Sequence, residues 1–447
     1  MLKKYFTHKT YIFLFLIILS GIFLRIYKIE NNYYYSGELG KELLFIRQFA
    51  LNKTLPLVGM ATSHSWLYYG PFYYWLMIPV FNIFNGNPYI LFCVGLVISV
   101  IGLFLNYIVV KKIADNKIAL LSTLIQSISP LLIWQTRLSK LHVFFWVLMP
   151  VLMYLMYLIW NNKRKWIFVS GLVFGLLFSF HFSQIPIVGV FALLFWFKKN
   201  VYKAKDWLYF IIGTIVPNIT LIWQDKNLVL WLPYRIANVT EKNPSGTFNS
   251  LSEYFGKNLF WDNKLWVVGL VVFILLFANY LYKNYKKINS DFLTFYIIIS
   301  IGLMLFANIL HGSSPIHYYL PVFTTVPILY SIYLSKIKSW YFIVLPIFIY
   351  NLVSFNNDPY FYKNFDKKVI GTDFVKYSTQ MNTTLFILNN AGGKQFSIKR
   401  VGPYDFFPEQ YSQNYKYLLL WKGGKLVDEN VNLYTIIESE NDINVQN

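Results

Sequence analysis

Two carboxylates stand four residues apart in the segment that follows the first apolar run. The segment reads Ser36-Gly-Glu-Leu-Gly-Lys-Glu42, and a helix can begin at Ser36 or Gly37. Residues four apart share one face of a helix, so Glu38 and Glu42 would lie side by side. A partly desolvated carboxylate has a raised pKa, which suits a general base that takes a proton from a hydroxyl group. The plain alternative is that an acid in the first helical turn only complements the helix dipole.

The same segment carries an apolar stripe opposite its acids. Leu39, Leu43, Ile46 and Phe49–Ala50 recur at helical spacing. This pattern predicts an amphipathic helix that lies on the membrane and directs both acids away from lipid.

The segment from Ser63 to Trp75 places a Gly-Pro turn inside a run of Tyr and Trp residues. Residues of these types commonly anchor a protein at the membrane interface. His64 is the member of this segment that could instead contact a substrate.

The elements that must position these residues belong to a membrane protein. Of the 447 residues, 56% are hydrophobic and 13% are charged, whereas roughly a quarter of the residues of a soluble domain are charged. This composition excludes a soluble domain and also a disordered chain. Cys93 is the single cysteine of the sequence, which excludes an internal disulfide and a Cys-based metal site.

Apolar runs of about 20 residues, long enough to span a bilayer, recur along most of the chain. They predict about eleven transmembrane helices, at Tyr11–Ile29, Pro88–Val110, Ile118–Gln135, His142–Trp160, Trp166–Phe180, Gln184–Phe197, Trp207–Trp223, Leu265–Tyr282, Phe292–Leu310, Tyr318–Leu334 and Trp340–Ser354. No small-residue cleavage site follows the first run. It therefore reads as a retained signal-anchor with a cytoplasmic N-terminus.

Lys and Arg are concentrated on one side of this topology. The connections that would be cytoplasmic are rich in both residues, whereas the short connections on the other side carry only Arg137 and Lys140. Much of the net charge of +20 is therefore topological and does not indicate a nucleic-acid partner. The pattern predicts a multi-pass protein of the cytoplasmic membrane, with its C-terminus and its chemistry on the outer face.

The long connections all fall on the predicted outer face. They are Glu30–Asn87, Gln224–Lys264 and the chain after Phe355. We therefore expect a transmembrane domain at 1–354, whose first outward loop is 30–87, and a C-terminal α+β domain at 355–447. The C-terminal domain is predicted to contain two helices and two strands, at Thr383–Ala391, Gln395–Val401, Glu409–Trp421 and Asn432–Glu438. It could help to hold an acceptor or could be purely structural.

Several motifs together resemble one family. They are Leu24-Arg25-Ile26-Tyr27, Ser36-Gly-Glu-Leu-Gly-Lys-Glu42, Tyr69-Gly-Pro71-Phe-Tyr-Tyr74, Ser129-Pro-Leu-Leu-Ile-Trp-Gln-Thr-Arg137, Ile316-His-Tyr-Tyr-Leu-Pro321, Ala391-Gly-Gly-Lys-Gln-Phe396 and Tyr404-Asp-Phe-Phe-Pro408. In this order they resemble the GT-C superfamily of polytopic glycosyltransferases. The branch concerned includes protein O-mannosyltransferases and lipid A aminoarabinose transferases, and the similarity covers nearly the whole chain.

The resemblance implies a GT-C fold and a polyprenyl-phosphate sugar as donor, with a lipid, protein or polymer hydroxyl as acceptor. It also implies that Glu38 stands at the position of an essential acid, usually Asp, in the first outward loop. The side chain of Glu38 is one methylene longer than that Asp. Many relatives have a second acid in the second outward loop, but Arg137–His142 contains none. A divalent ion held between two acids is therefore not supported by this sequence.

A phosphate leaving group needs cations rather than a general acid. The candidates on the predicted outer face are Arg25, Lys41, Arg137, Lys140 and Arg235. Arg137 is the first choice because it ends a predicted span at the depth of a lipid phosphate, and ordinary snorkelling is its alternative. Tyr69 lies in a family motif, and His317 and Tyr318 could hydrogen-bond the donor phosphate or sugar.

Two other classes of protein remain open. A transporter or flippase also has many spans, although the chain shows no matching half-sequences and no acid deep within a span. A catalytically inactive GT-C homologue that binds lipid-linked sugars is kept open by Glu in place of Asp at position 38.

Overall fold

A computed structural model of the chain describes residues 2–62, 67–224, 244–311, 318–319, 322–364, 369–370, 374–402, 408–428, 431–439 and 442–446. Helices dominate these residues. In chain order they are α1 (Leu2–Ile26), α2 (Ile29–Asn32), α3 (Gly37–Asn52), α4 (Phe72–Ile83), α5 (Ile90–Ile113), α6 (Asn116–Ile128), α7 (Pro130–Leu138), α8 (Phe145–Trp160), α9 (Ile167–Phe180), α10 (Pro186–Phe197), α11 (Ala204–Ile215), α12 (Ile219–Gln224), α13 (Pro244–Lys257), α14 (Trp266–Asn284), α15 (Phe292–His311), α16 (Thr325–Leu334), α17 (Tyr341–Asn356), α18 (Tyr377–Ala391) and α19 (Pro408–Trp421).

The helices make the chain a multi-pass membrane protein, but the count of eleven spans is not confirmed. Within the described residues six helices are long and apolar enough to cross a membrane, or seven if one bent pair counts as a span. Each of the other predicted runs contains a helix of ten to seventeen residues or part of one, for example Thr325–Leu334 and Tyr341–Asn356. Hydropathy located these helices but overstated how many have the length of a full span.

The bent pair is α6 and α7, which meet at Ser129 with an angle of 55°. Pro130 is the first residue of α7, and Ser129 before it is extended, with φ −60° and ψ 122°. Proline disfavours the helical conformation of the residue that precedes it, so the apolar run breaks at this point. The break lets α7 turn away from α6 and end at Leu138, close to the candidate site.

The C-terminal domain has its own small core. Strand β3 (Ser397–Val401) pairs in parallel with β4 (Leu433–Glu438), and β4 pairs antiparallel with β5 (Ile443–Gln446). Helix α19 lies between β3 and β4 in the chain, so these three elements form a βαβ unit. A two-stranded hairpin of β1 (Val369–Ile370) and β2 (Phe374–Val375) precedes α18. The predicted order of helix, strand, helix and strand is confirmed, but β1, β2 and β5 were not predicted.

Helix α3 begins at Gly37 with Ser36 as its N-cap, as the sequence predicts. Its apolar stripe does not face lipid, however. Leu39, Leu43 and Ile46 are completely buried, and the helix packs against α19 of the C-terminal domain and against α4. Protein rather than lipid therefore covers the apolar face of this helix.

Candidate active site

Glu38 forms an ion pair with Lys140 from a distant part of the chain. Glu38 lies in the first turn of α3, and Lys140 follows the end of α7. Helix α7 ends because Ser139 takes a left-handed conformation, with φ 58°. Half of the Glu38 side chain and a third of the Lys140 side chain are exposed, so a substrate could reach both groups.

Glu42 lies one turn further along α3 in a different environment. Its side chain is buried, and it forms a hydrogen bond with Tyr73 in the first turn of α4. Burial raises the pKa of Glu42 from 4.5 to about 7, although the Tyr73 hydrogen bond and the charge of Lys140 act in the opposite direction. The two acids therefore share a helix face, as predicted, but differ in solvation.

The Gly-Pro turn before α4 places Tyr69 beside this acidic pair. The main-chain N–H of Gly70 donates to the carbonyl of Ser179 at 2.7 Å, which ties the turn to the end of α9. A Cβ atom on Gly70 would lie 1.6 Å from the Ser179 hydroxyl oxygen, so only glycine permits this approach. Burial, followed by the charges of Glu38 and Glu42, raises the pKa of Tyr69.

Two histidines that were not predicted as site residues lie side by side here, and His181 of the pair adjoins Tyr69. The ring centroids of His142 and His181 lie 4.9 Å apart, and His181 lies 6.0 Å from Tyr69 and 5.6 Å from Tyr318. The main-chain N–H of Ser183 donates to Nδ1 of His181, so Nε2 carries the proton of the neutral ring. Burial lowers the pKa of His181 to about 3 and keeps the ring neutral. The signal in the sequence was that His142 begins a predicted span and His181 lies between two others, both at the predicted outer face.

Arg25 and Arg137 are buried and bind main-chain carbonyl groups. Arg25 donates to the carbonyls of Gly21 and Ser127 at 2.8 and 3.0 Å. Arg137 donates to those of Arg25, Tyr27 and Phe361 at 3.0 to 3.1 Å. Both guanidinium groups therefore bind main-chain carbonyls inside the protein, and Arg137 does not snorkel to the interface. This arrangement does not support the predicted contact of either arginine with a donor phosphate.

Of the remaining predicted residues, the structure describes only Lys41. Lys41 is exposed on α3. His64, Arg235 and His317 lie outside the described residues. Across the described part of the chain, no three His, Cys, Asp or Glu side chains gather as a metal ion would require.

Comparisons with known proteins agree with this architecture. The sequence model of the dolichyl-phosphate-mannose-protein mannosyltransferase family matches residues 68–223. No curated protein matches the chain at a significant level of sequence similarity.

Several solved structures have a similar fold. ArnT from Cupriavidus metallidurans bound to undecaprenyl phosphate has a TM-score of 0.57 at 11% identity, over 93% of this chain and 77% of ArnT. The apo state of the same ArnT has a TM-score of 0.55 at 11% identity, over 93% of this chain and 76% of its own.

An oligosaccharyltransferase from Archaeoglobus fulgidus, tethered to an acceptor peptide with the NVT sequon, has a TM-score of 0.52 at 12% identity. That match covers 91% of this chain and 63% of the oligosaccharyltransferase. At such identities the similarity is one of fold, and it extends over nearly the whole of this chain. The chain is thus a polytopic membrane protein with the GT-C fold that ArnT also has.

Proposed function

We propose that this protein transfers a sugar from a polyprenyl-phosphate donor to an acceptor hydroxyl at the outer face of the cytoplasmic membrane. The observation that carries the proposal is the contact of Glu38 with Lys140. It joins an accessible acid of the first predicted outward loop to a cation of the second. Such a pair offers a base for the acceptor and a positive charge for the leaving phosphate.

The transfer is a direct displacement at the anomeric carbon. The Glu38 carboxylate takes the proton of the acceptor hydroxyl, and the hydroxyl oxygen forms a bond to the anomeric carbon. The bond from that carbon to the phosphate oxygen breaks, and its electron pair leaves with polyprenyl phosphate. The Lys140 ammonium group stabilises the charge that grows on the phosphate. A single displacement inverts the configuration at the sugar carbon.

Glu42 has a different role in this mechanism. Its pKa of about 7 leaves it largely protonated in mildly acidic solution and partly protonated at neutral pH. A neutral Glu42 adds no second negative charge beside Glu38 and the incoming phosphate. We infer that transfer slows as Glu42 ionises, because the added charge repels the phosphate and competes for Lys140.

The solved structures of similar fold support the choice of substrates. One of them holds undecaprenyl phosphate, and another is tethered to an acceptor peptide. The distribution of Lys and Arg in the sequence supports a cytoplasmic N-terminus and an outward first loop. A lipid-linked donor also fits this topology, since nucleotide sugars are not available outside the cytoplasmic membrane.

Purified protein in lipid vesicles provides the test. Lipid-linked sugars that accumulate after deletion of the gene, identified by mass spectrometry, supply the donor. We expect Glu38→Gln to abolish release of polyprenyl phosphate and to leave donor binding intact. Glu38→Asp keeps the carboxylate and should retain measurable activity, so it is the matched control. Unchanged product formation in Glu38→Gln would show that the mechanism is wrong.

The same preparation separates the other two classes. An inactive homologue would bind the donor but release no polyprenyl phosphate in the wild type. A flippase would move labelled lipid across the vesicle without breaking the bond between sugar and phosphate.

A further inference from the structure

The C-terminal domain touches the helix that carries both acids, at a point between them. Gly40 of α3 faces Asn414 of α19, and a Cβ atom on Gly40 would lie 2.4 Å from both Cα and N of Asn414. The main chains of the two helices are therefore in direct contact. Any side chain at position 40 would have to push α19 away from α3. Gly40 is two residues from Glu38 and two from Glu42, so such a displacement would act on both acids.

A buried chain of hydrogen bonds joins the same domain to the start of α3. The side-chain amide of Asn414 donates to Oε1 of Gln380 at 2.7 Å. Nε2 of Gln380 in turn donates to the carbonyls of Tyr35 and Val375, both at 2.8 Å. Asn414 and Gln380 are 5% and 1% exposed, so water cannot replace these partners without opening the interface. Tyr35 directly precedes Ser36, the N-cap of the helix.

Aromatic rings hold the same entry to α3. The ring of Tyr377, the first residue of α18, lies 5.5 Å from Tyr33 and 5.6 Å from Tyr35. Tyr33 also stacks on Tyr89, which precedes α5, at 4.6 Å. Edge-to-face and stacked rings at these distances favour one mutual orientation. The backbone that leads into the acidic helix is thus held from the C-terminal domain and from α5 together.

The domain also contacts the chain that follows α4, the helix that carries Tyr73. The hydroxyl of Tyr417 donates to the carbonyl of Gly86, and the indole N–H of Trp421 donates to that of Asn85 at 2.9 Å. Tyr417 and Trp421 lie on α19 about one and two turns after Asn414, on the same face of the helix. Helix α19 therefore contacts both α3, which carries Glu42, and the chain that follows α4, which carries Tyr73.

We propose that the C-terminal domain is a positioning part of the active site, which holds α3 so that Glu38 meets Lys140 and Glu42 stays buried against Tyr73. Gly40, Asn414 and Gln380 are the positioning residues. The inference rests on the proposed transferase function. The physical reason is that transfer needs reacting groups within a fraction of an ångström, and misplacement by about 1 Å can reduce a rate about 100-fold. If only lipid covered its apolar face, α3 could shift along it. The main-chain contact between Gly40 and Asn414 prevents such a shift.

Three variants of the full-length protein in lipid vesicles test this inference. Gly40→Ala separates α3 from α19, and Asn414→Ala removes a hydrogen bond but keeps the main chains in contact. Gly302→Ala, on α15, makes the same chemical change where the added methyl group meets no atom within 4 Å. We expect kcat to fall about 10- to 100-fold in Gly40→Ala and less in Asn414→Ala, with KM for the donor unchanged. Gly302→Ala should keep both values.

The dependence of kcat on pH separates positioning from a simple loss of folded protein. The titratable groups that act on Glu42 are Glu38, Tyr33, Tyr69, Tyr73, Tyr74 and Lys140. A displaced α3 would let water reach Glu42, and the fall of kcat at high pH would move to lower pH. A smaller amount of folded protein would lower the total rate without moving this profile.

Hydrogen exchange of residues 36–47 gives a readout that does not need catalysis. Exchange should be faster in Gly40→Ala and Asn414→Ala than in Gly302→Ala. If wild type is active and both interface variants retain its kcat, pH profile and exchange, the positioning role is wrong. If wild type transfers no sugar from any donor, the proposed function fails instead. Faster exchange in the two interface variants would then still show that the domain holds α3.

Discussion

The Nη1 atom of Arg137 donates a hydrogen bond of 3.0 Å to the main-chain carbonyl of Arg25. Arg137 and Arg25 are 1% and 2% exposed, so both are buried inside the protein although the sequence placed them on its outer face. Arg137 also binds the carbonyls of Tyr27 and Phe361, which lie after α1 and after α17. One guanidinium group therefore joins the ends of three segments that are far apart in sequence.

This arrangement predicts that Arg137 matters for stability. Arg137→Met leaves three carbonyl groups without this donor, two of them buried, which should reduce the free energy of unfolding by about 3 kcal/mol. Arg137→Lys should recover only part of the loss, because an ammonium group cannot span the same three acceptors. Thermal unfolding in detergent measures both effects. A wild-type midpoint for Arg137→Met would contradict the assigned role.

The raised pKa of Glu42 predicts that the free energy of unfolding depends on pH. Its folded pKa of about 7 lies above the ordinary 4.5, so the folded state binds this proton more tightly than the unfolded state. The contribution is fully present below pH 4.5 and is lost as the pH rises through about 7. It is worth up to about 3 kcal/mol. Unfolding of wild type between pH 4.5 and 8 should show this decline.

Two substitutions serve as controls for the Glu42 prediction. Glu42→Gln should flatten the decline over the same range, because glutamine does not titrate. Tyr73→Phe removes a hydrogen bond that lowers the Glu42 pKa, so the decline should end at a higher pH. The assignment is wrong if Glu42→Gln retains the full decline.

Substitution of Lys140 should lower the activity and have little effect on stability. Its ion pair with Glu38 is partly exposed, and such pairs contribute about 1 kcal/mol or less. Lys140→Met should therefore unfold near the wild-type temperature but transfer sugar about 100-fold more slowly, since the leaving phosphate loses its cation. The charge-exchanged double variant Glu38→Lys with Lys140→Glu should regain the pair without regaining activity. Full activity of Lys140→Met would rule out a role in leaving-group stabilisation.

The C-terminal domain contains a buried ion pair between Arg400 and Glu438, and we expect this pair to matter for the stability of the domain. Nε of Arg400 donates to Glu438 at 2.8 Å, and the Tyr415 hydroxyl donates to the other carboxylate oxygen at 2.6 Å. Glu438→Gln removes the carboxylate charge from this buried ion pair, at a cost of about 3–5 kcal/mol. Tyr415→Phe removes one hydrogen bond and should cost less. Limited proteolysis of the full chain can compare the two, and an equal loss would contradict this order.

Local pattern predicted part of the site well. Ser36 precedes the first turn of α3, and Glu38 and Glu42 share one helix face, as their spacing requires. The same spacing could not show that Glu42 is buried under Tyr73 while Glu38 is half exposed. That difference arises because α4 covers one part of the helix face and leaves the other open.

Arg137 and Lys140 show where local pattern is insufficient. Both follow an apolar run, and both looked suited to a lipid phosphate. The fold directs Arg137 inward to main-chain carbonyls and Lys140 outward to Glu38. The left-handed turn at Ser139 lies between them, and its effect on the two side chains depends on the segments that pack around it.

The sequence by itself determined a multi-pass helical protein, the location of most of its helices, the acidic helix and the composition of its C-terminal domain. Hydropathy, helical period and proline act over a few neighbouring residues, so these features can be read along the chain. Only the tertiary structure decided which cation meets Glu38, why Glu42 holds its proton, and that α19 rather than lipid covers α3. Those contacts join residues that are distant in sequence, and their energies depend on burial that only packing creates.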